Sequence, residues 1–255
     1  MPTVLVTIAY DGTNYSGWQV QPNGIAVQQV VEEALEQLLK ERVQVRSSGR
    51  TDAGVHARAM AASFITNRNL PLRAFVEGVN RFLPADIAIQ DARMVPEGFK
   101  PITMAHAKHY RYTIINSSIR SPLDRLYSWQ VREPLDLAAM EEAAVRFVGR
   151  HDFAAFRASN CVARTTVRRI DSVTIAREGN RIVVDVIGGG FLKNMVRVMV
   201  GTLVDIGKGR FIPADIEKLL LKGDRKEAGS TAPACGLCLM QVFYPEKFTS
   251  PPEGA

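Results

Sequence analysis

No apolar run in the chain approaches the roughly 18 uninterrupted residues of a bilayer-crossing helix, so no membrane span is expected. The start, Met1-Pro2-Thr3-Val4-Leu5-Val6, has neither a basic leader nor a small-residue cleavage site, and no secretory signal is expected. Cysteine is scarce. Cys161, Cys235 and Cys238 form an odd, sparse set, which argues against a disulfide framework and suits a reducing cytoplasm. Cys235 and Cys238 make a C-x-x-C pair, but no second pair stands at zinc-ligand spacing, so no metal site is expected. The stretch Ala234 to Val242 alternates like a strand, and both thiols read as core residues. Low-complexity tracts and clear linkers are missing too.

What is present is ordinary globular material, 46% hydrophobic and 23% charged over 255 residues, enough for a sizeable core in one large or two small domains. The balance is basic, with net charge +6. That favours a polyanionic partner, of which nucleic acid is the commonest.

Periodicity orders the chain. Strands are expected over Thr3–Tyr10, Arg42–Ser47, Met60–Thr66, Ile87–Val95, Lys108–Ile115 and Gly236–Tyr244, with a hairpin of Val167–Arg177 and Arg181–Ile187 across Glu178-Gly179-Asn180. Helices are expected over Ala26–Glu41, Pro71–Phe82, Asp136–Gly149, Phe191–Ile206 and Pro213–Leu221. Hairpins beside crossovers predict an α+β fold with a mixed, largely antiparallel sheet. The two halves are similar in make-up, which suggests an N-terminal lobe over 1–103, a C-terminal lobe over 104–245 with a cleft between them, and a loose tail over 246–255.

The sharpest chemical feature is the run Arg46 to Arg58. Asp52 is the sole carboxylate between Arg42 and Val76, in company with Arg42, Arg46, Arg50, Arg58, Arg68 and Arg73. Opposite charges favour the ionised form of an acid. Gly49 and Gly54 flank it and let the backbone turn tightly. A turn aspartate paired to one arginine would explain the pattern structurally. An ionised carboxylate aimed at an electron-poor carbon, with arginines gripping phosphates, would explain it functionally.

Ser48-Gly49-Arg50-Thr51-Asp52-Ala53-Gly54-Val55-His56-Ala57 resembles the signature of the tRNA pseudouridine synthase A family. Tyr10-Asp11-Gly12-Thr13-Asn14-Tyr15-Ser16-Gly17-Trp18-Gln19 and Val27-Gln28 resemble it as well, and the likeness runs from the first strand to Tyr244. The resemblance implies isomerisation of uridine to pseudouridine in the anticodon stem-loop, at tRNA positions 38, 39 and 40. It implies Asp52 as the catalytic residue, ferredoxin-like lobes, a cytoplasmic homodimer and no cofactor. The route, nucleophilic attack on the sugar or expulsion of uracil through a glycal, stays open.

Other residues follow from the same resemblance. Lys108-His109-Tyr110-Arg111-Tyr112 matches a run whose first tyrosine stacks on the target uracil, which falls on Tyr110. Arg197, in the apolar helix after Gly188-Gly189-Gly190, is costly to bury without a partner and would pair with Asp52; the alternative is that it reaches solvent. Arg50 would help extrude the base. Arg58, Arg164 and Arg168 are candidate RNA-backbone contacts, as are Phe99 and Lys100. There the sequence departs from the family: a small-Arg-Phe run is replaced by Lys100-Pro101-Ile102-Thr103, which puts one RNA contact in doubt. Two other readings remain: the same chemistry at other RNA sites, and an RNA-binding or chaperone module that does not turn over.

Overall fold

The computed structural model describes residues 2–248. Its elements in chain order are β1 (Thr3–Tyr10), α1 (Val27–Leu39), β2 (Arg46–Ser47), β3 (His56–Ile65), β4 (Ile87–Val95), α2 (Pro101–Met104), β5 (Ala107–Asn116), β6 (Trp129–Val131), α3 (Leu137–Val145), β7 (Gly149–Asp152), β8 (Val167–Glu178), β9 (Arg181–Gly188), α4 (Met195–Gly207), α5 (Asp215–Lys222) and β10 (Leu237–Phe243). The chain forms two units. The first holds the residues up to His106 together with those from Leu239 onward, and the second is Ala107–Cys238.

In the first unit β1 lies between β3 and β4, antiparallel to both. Val4, Leu5, Val6 and Ile8 are at most 1% exposed. A strand covered on both faces has no need of polar alternation, which is why its apolar residues run on. β2 adds two residues to β3, and β10 follows β3 in the strand order. α1 turns Val27, Val31, Ala34, Leu35 and Leu39 inward at helical spacing. It stops at Lys40, which is left-handed at φ 55° and returns its N–H to the Glu36 carbonyl.

In the second unit β5, β9, β8 and β7 pair antiparallel in that order, and β6 runs parallel to β5. The β8–β9 turn uses Gly179 at φ 59°. α4 is apolar nearly all round, with Val198, Met199, Val200, Leu203 and Val204 fully buried. The mixed, largely antiparallel α+β architecture is the one expected.

Several boundaries differ from the sequence reading. Arg42–Ser47 yields a strand only at Arg46–Ser47. The third expected strand starts earlier, at His56. The helix expected over Pro71–Phe82 spans 72–80 and contains a π turn at Ala74–Gly78. α4 begins at Met195 rather than Phe191, because Asn194 is left-handed (φ 61°) and stops any earlier helical turn. Cys235 lies in a 3-10 turn, Ala234–Gly236, ahead of β10. β6, β7 and α2 were not expected. Of the expected loose tail, Glu246–Phe248 forms a 3-10 turn with Phe248 packed on Phe99, and 249–255 lies outside the described residues.

Two glycines set how closely α4 packs. A Cβ on Gly201 would lie 1.7 Å from the Ser230 carbonyl oxygen, and one on Gly229 would lie 2.6 Å from Thr202 Cα. Helix propensity alone would make Gly201→Ala stabilising by roughly 1 kcal/mol. The overlap with backbone reverses the sign, and Gly201→Ala is expected to destabilise by about 1–3 kcal/mol. A urea midpoint equal to or above that of the parent chain contradicts this packing.

Candidate active site

Asp52 stands in the loop between β2 and β3, half-buried, with Thr51 buried before it and Val55 buried after it. A second loop, Asp11 to Gln19, is pressed onto it. Tyr10 Oη and Thr51 Oγ1 share a buried hydrogen bond of 2.8 Å. Trp18 N–H donates to the Thr51 carbonyl at 3.1 Å, and Gly54 N–H donates to the Tyr15 carbonyl at 3.4 Å. Gly12 N–H donates to His56 Nδ1 at 3.0 Å, and Asp11 Oδ1 lies 3.1 Å from the same nitrogen. The approach is too close for side chains. A Cβ on Gly12 would fall 2.1 Å from the Val55 carbonyl oxygen, and one on Gly17, at φ +94°, 2.6 Å from the Thr51 carbonyl oxygen. The two sequence blocks that carried the family resemblance are thus one structural piece.

Tyr15 braces this piece from the far side. Its hydroxyl donates to Asp86 Oδ1 at 2.7 Å, and burial with the Asp86 charge pushes the phenol well above its ordinary value. Asp52 closes its own loop by accepting the Val55 N–H on its carbonyl at 3.1 Å. The backbone that carries Asp52 is therefore held on both sides by hydrogen bonds.

The arginine field is thinner than the sequence suggests. Arg42 pairs with Glu36, Arg73 pairs with Glu77, and Arg68 Nε donates to the Leu39 carbonyl at 2.8 Å. Arg46, Arg50 and Arg58 remain exposed. Lys100 is exposed at the N-cap of α2, where its carbonyl accepts the Thr103 and Met104 amides. Phe99 requires a correction. It is 4% exposed, inside a cluster with Leu5, Ala61, Val95 and Tyr244, and its ring packs on Tyr244 and Phe248. A ring consumed by the core has no face for RNA. The Lys100-Pro101-Ile102-Thr103 departure is the start of α2, whose Pro101 carbonyl accepts the Tyr244 hydroxyl at 2.9 Å.

In the second unit Tyr110 points to the buried face of β5, 8% exposed, edge-on to Phe191 with ring centres 5.0 Å apart. Arg197 is held rather than extended into water. Its Nε donates to the Ala232 carbonyl at 2.8 Å and its Nη1 to Asn194 Oδ1 at 3.1 Å, while Ala232 N–H returns to the Arg197 carbonyl. Arg164 is exposed, and Arg168 Nη1 donates to the Thr165 and Val167 carbonyls, bracing its own loop. The braces Tyr10–Thr51, Phe191–Tyr110 and Asn194–Arg197 escaped the sequence reading. Only the glycine spacing of Asp11 to Gly17 carried a signal for any of them.

Lys108, two residues before Tyr110 on the same face of β5, is half-buried with no carboxylate facing it among the described residues. Burial pulls its ammonium down to about 8.

The sequence of this site matches known proteins. A family described as tRNA pseudouridine synthase matches residues 6–101 and 143–245. The chain is 70% identical over 244 residues to the tRNA pseudouridine synthase A of Pelobacter propionicus, covering 96% of this chain and 100% of that one. It is 57% identical over 244 residues to the namesake from Geotalea uraniireducens, again with 96% and 100% coverage. Identity to that of Myxococcus xanthus is 49% over 245 residues, covering 96% and 92%. The chain belongs to the tRNA pseudouridine synthase family.

The Lys108 environment carries a pH signature. Between pH about 8 and the ordinary lysine value of 10.5, the unfolded chain holds a proton that the folded chain has shed, so this residue makes stability rise with pH over that window. Lys108→Met is expected to raise the urea midpoint at pH 7, with the gain shrinking as pH climbs through the window. A variant less stable than the parent at pH 7, or a pH-independent difference, counts against a desolvated ammonium.

Proposed function

We propose that the chain isomerises uridine to pseudouridine in the anticodon stem-loop of tRNA, at positions 38, 39 and 40, with Asp52 as the catalytic carboxylate. Membership in the tRNA pseudouridine synthase family supports the reaction. The observation that carries the choice of residue is the doubly braced loop: Asp52 is the one acid on it, and glycine contacts and backbone bonds fix its position. Enzymes gain rate by holding a reacting group in place before the substrate arrives.

The isomerisation breaks the N1–C1′ bond, forms C5–C1′, moves a proton off C5 and leaves one on N1, so nothing is consumed. An anionic carboxylate stabilises the electron-poor C1′, either by bonding to it or by standing beside it while uracil departs. Tyr110 supplies the aromatic surface for the detached uracil, its ring already steadied by Phe191. Arg197 acts with Asp52 in the catalytic step. Arg50 stabilises the extruded nucleotide, and Arg58, Lys100, Arg164 and Arg168 contact the RNA backbone. Catalysis as a homodimer in the cytoplasm completes the proposal. No described helix is long and apolar enough to cross a membrane.

Asp52→Ala is expected to abolish pseudouridine formation in a tRNA anticodon stem-loop, read by chemical mapping, while tRNA affinity stays within about threefold. Any measurable conversion by that variant removes Asp52 from the chemistry. Gly17→Ala forces the Thr51–Asp52 backbone to shift. Because a displacement near 1 Å costs about a hundredfold, its kcat is expected to fall by that order; a kcat equal to the parent's shows that the Gly17 contact does not position Asp52.

A further inference from the structure

A pocket of about 540 Å³ opens in the second unit, lined by Ile115, Arg120, Arg125, Ser128, Trp129 and Cys235 among others. The size lies in the range that holds a small ligand. It contains no acid, but two arginines reach it from the connection between β5 and β6. Neither has a carboxylate partner among the described residues; Arg125 Nη1 donates only to the Pro122 carbonyl at 3.3 Å. The single acid of that connection, Asp124, is already satisfied, accepting Arg181 and the Ser121 hydroxyl at 2.6 Å each. The charge turned toward the pocket is therefore uncompensated and positive.

The wall is aromatic. Trp129 is half-buried, edge-on to Tyr112 with ring centres 6.4 Å apart. Cys235 Sγ donates to the Ser128 carbonyl at 3.3 Å and so joins the 3-10 turn before β10 to the β6 side of the pocket. Two cations beside an indole are the elements that hold one nucleotide, with phosphate on guanidinium and base against the ring. A protein partner would instead call for a continuous apolar surface or an acidic complement.

We infer that this pocket takes a single nucleotide of the substrate RNA, separate from the one at Asp52. The inference rests on tRNA being the substrate. Register gives the reach: Ile114 faces Trp129 across the β5–β6 pair, four residues beyond Tyr110 on the same strand. At about 3.3 Å per residue that is roughly 13 Å, the length of about four stacked nucleotides at roughly 3.4 Å each. Trp129 thus lies within one stem-loop of a uracil on Tyr110. The pocket would secure the arm while the reacting base is turned.

The test is kinetic and optical. In the full chain, Arg120→Ala with Arg125→Ala is expected to raise KM for tRNA about tenfold, leave kcat within about twofold, and flatten the log KM against log salt slope by about 1–2. These side chains are exposed, so the double variant keeps its fold and tests the pocket without altering Trp129. The chain has two tryptophans, and Trp18 is 1% exposed. Quenching of intrinsic fluorescence by tRNA therefore reports Trp129, and it is expected to vanish in Trp129→Phe. A KM and salt slope equal to the parent's, or fluorescence indifferent to saturating tRNA, overturns the assignment. Fluorescence and binding read the pocket without turnover, so a parent chain that bound tRNA but formed no pseudouridine would sink the catalytic reading and leave this one standing.

Discussion

The placement of the Asp52 backbone depends on two glycines. Gly12 and Gly17 bring the loop after β1 into contact with the backbone of residues 51–55, closer than any side chain permits. The bonds Tyr10–Thr51, Trp18–Thr51, Tyr15–Gly54 and Gly12–His56 then lock the pair of loops. Each is worth only about 1 kcal/mol net. Together they replace the mobility usual in an exposed loop with a rigid mount.

The same economy appears in the second unit. Tyr110 and Arg197 are functional candidates, yet each is steadied by a residue with no chemistry of its own, Phe191 in one case and Asn194 in the other. Asn194 serves twice, since its left-handed backbone also decides where α4 begins. Moving the helix start by one turn would carry Arg197 away from the Ala232 carbonyl. Backbone punctuation and side-chain placement are here the same event.

How much of this was legible depended on range. Local patterns were read well: β1, α1 and the β8–β9 hairpin lie within a residue or two of their expected bounds, because alternation, helical period and a Gly-Asn turn act on near neighbours. Asp52 and its signature were legible because they are contiguous. Phe99 was misread because its fate is set by Leu5, Val95 and Tyr244, residues far apart in sequence. The arginine field was overread for a different reason: Glu36 and Glu77, just outside its bounds, claim Arg42 and Arg73, and the Leu39 carbonyl claims Arg68. β6 and β7 are too short to show a period at all.

Most of β10, from Leu239 on, belongs to the first unit. Tyr244 completes the cluster around Phe99 and closes onto Pro101, although more than a hundred residues separate them. During synthesis the first unit therefore emerges early but stays unfinished, with Leu5 and Phe99 lacking the Tyr244 ring until residue 244 has left the ribosome. The cover of the first unit's core is thus supplied from the far side of the second unit in sequence.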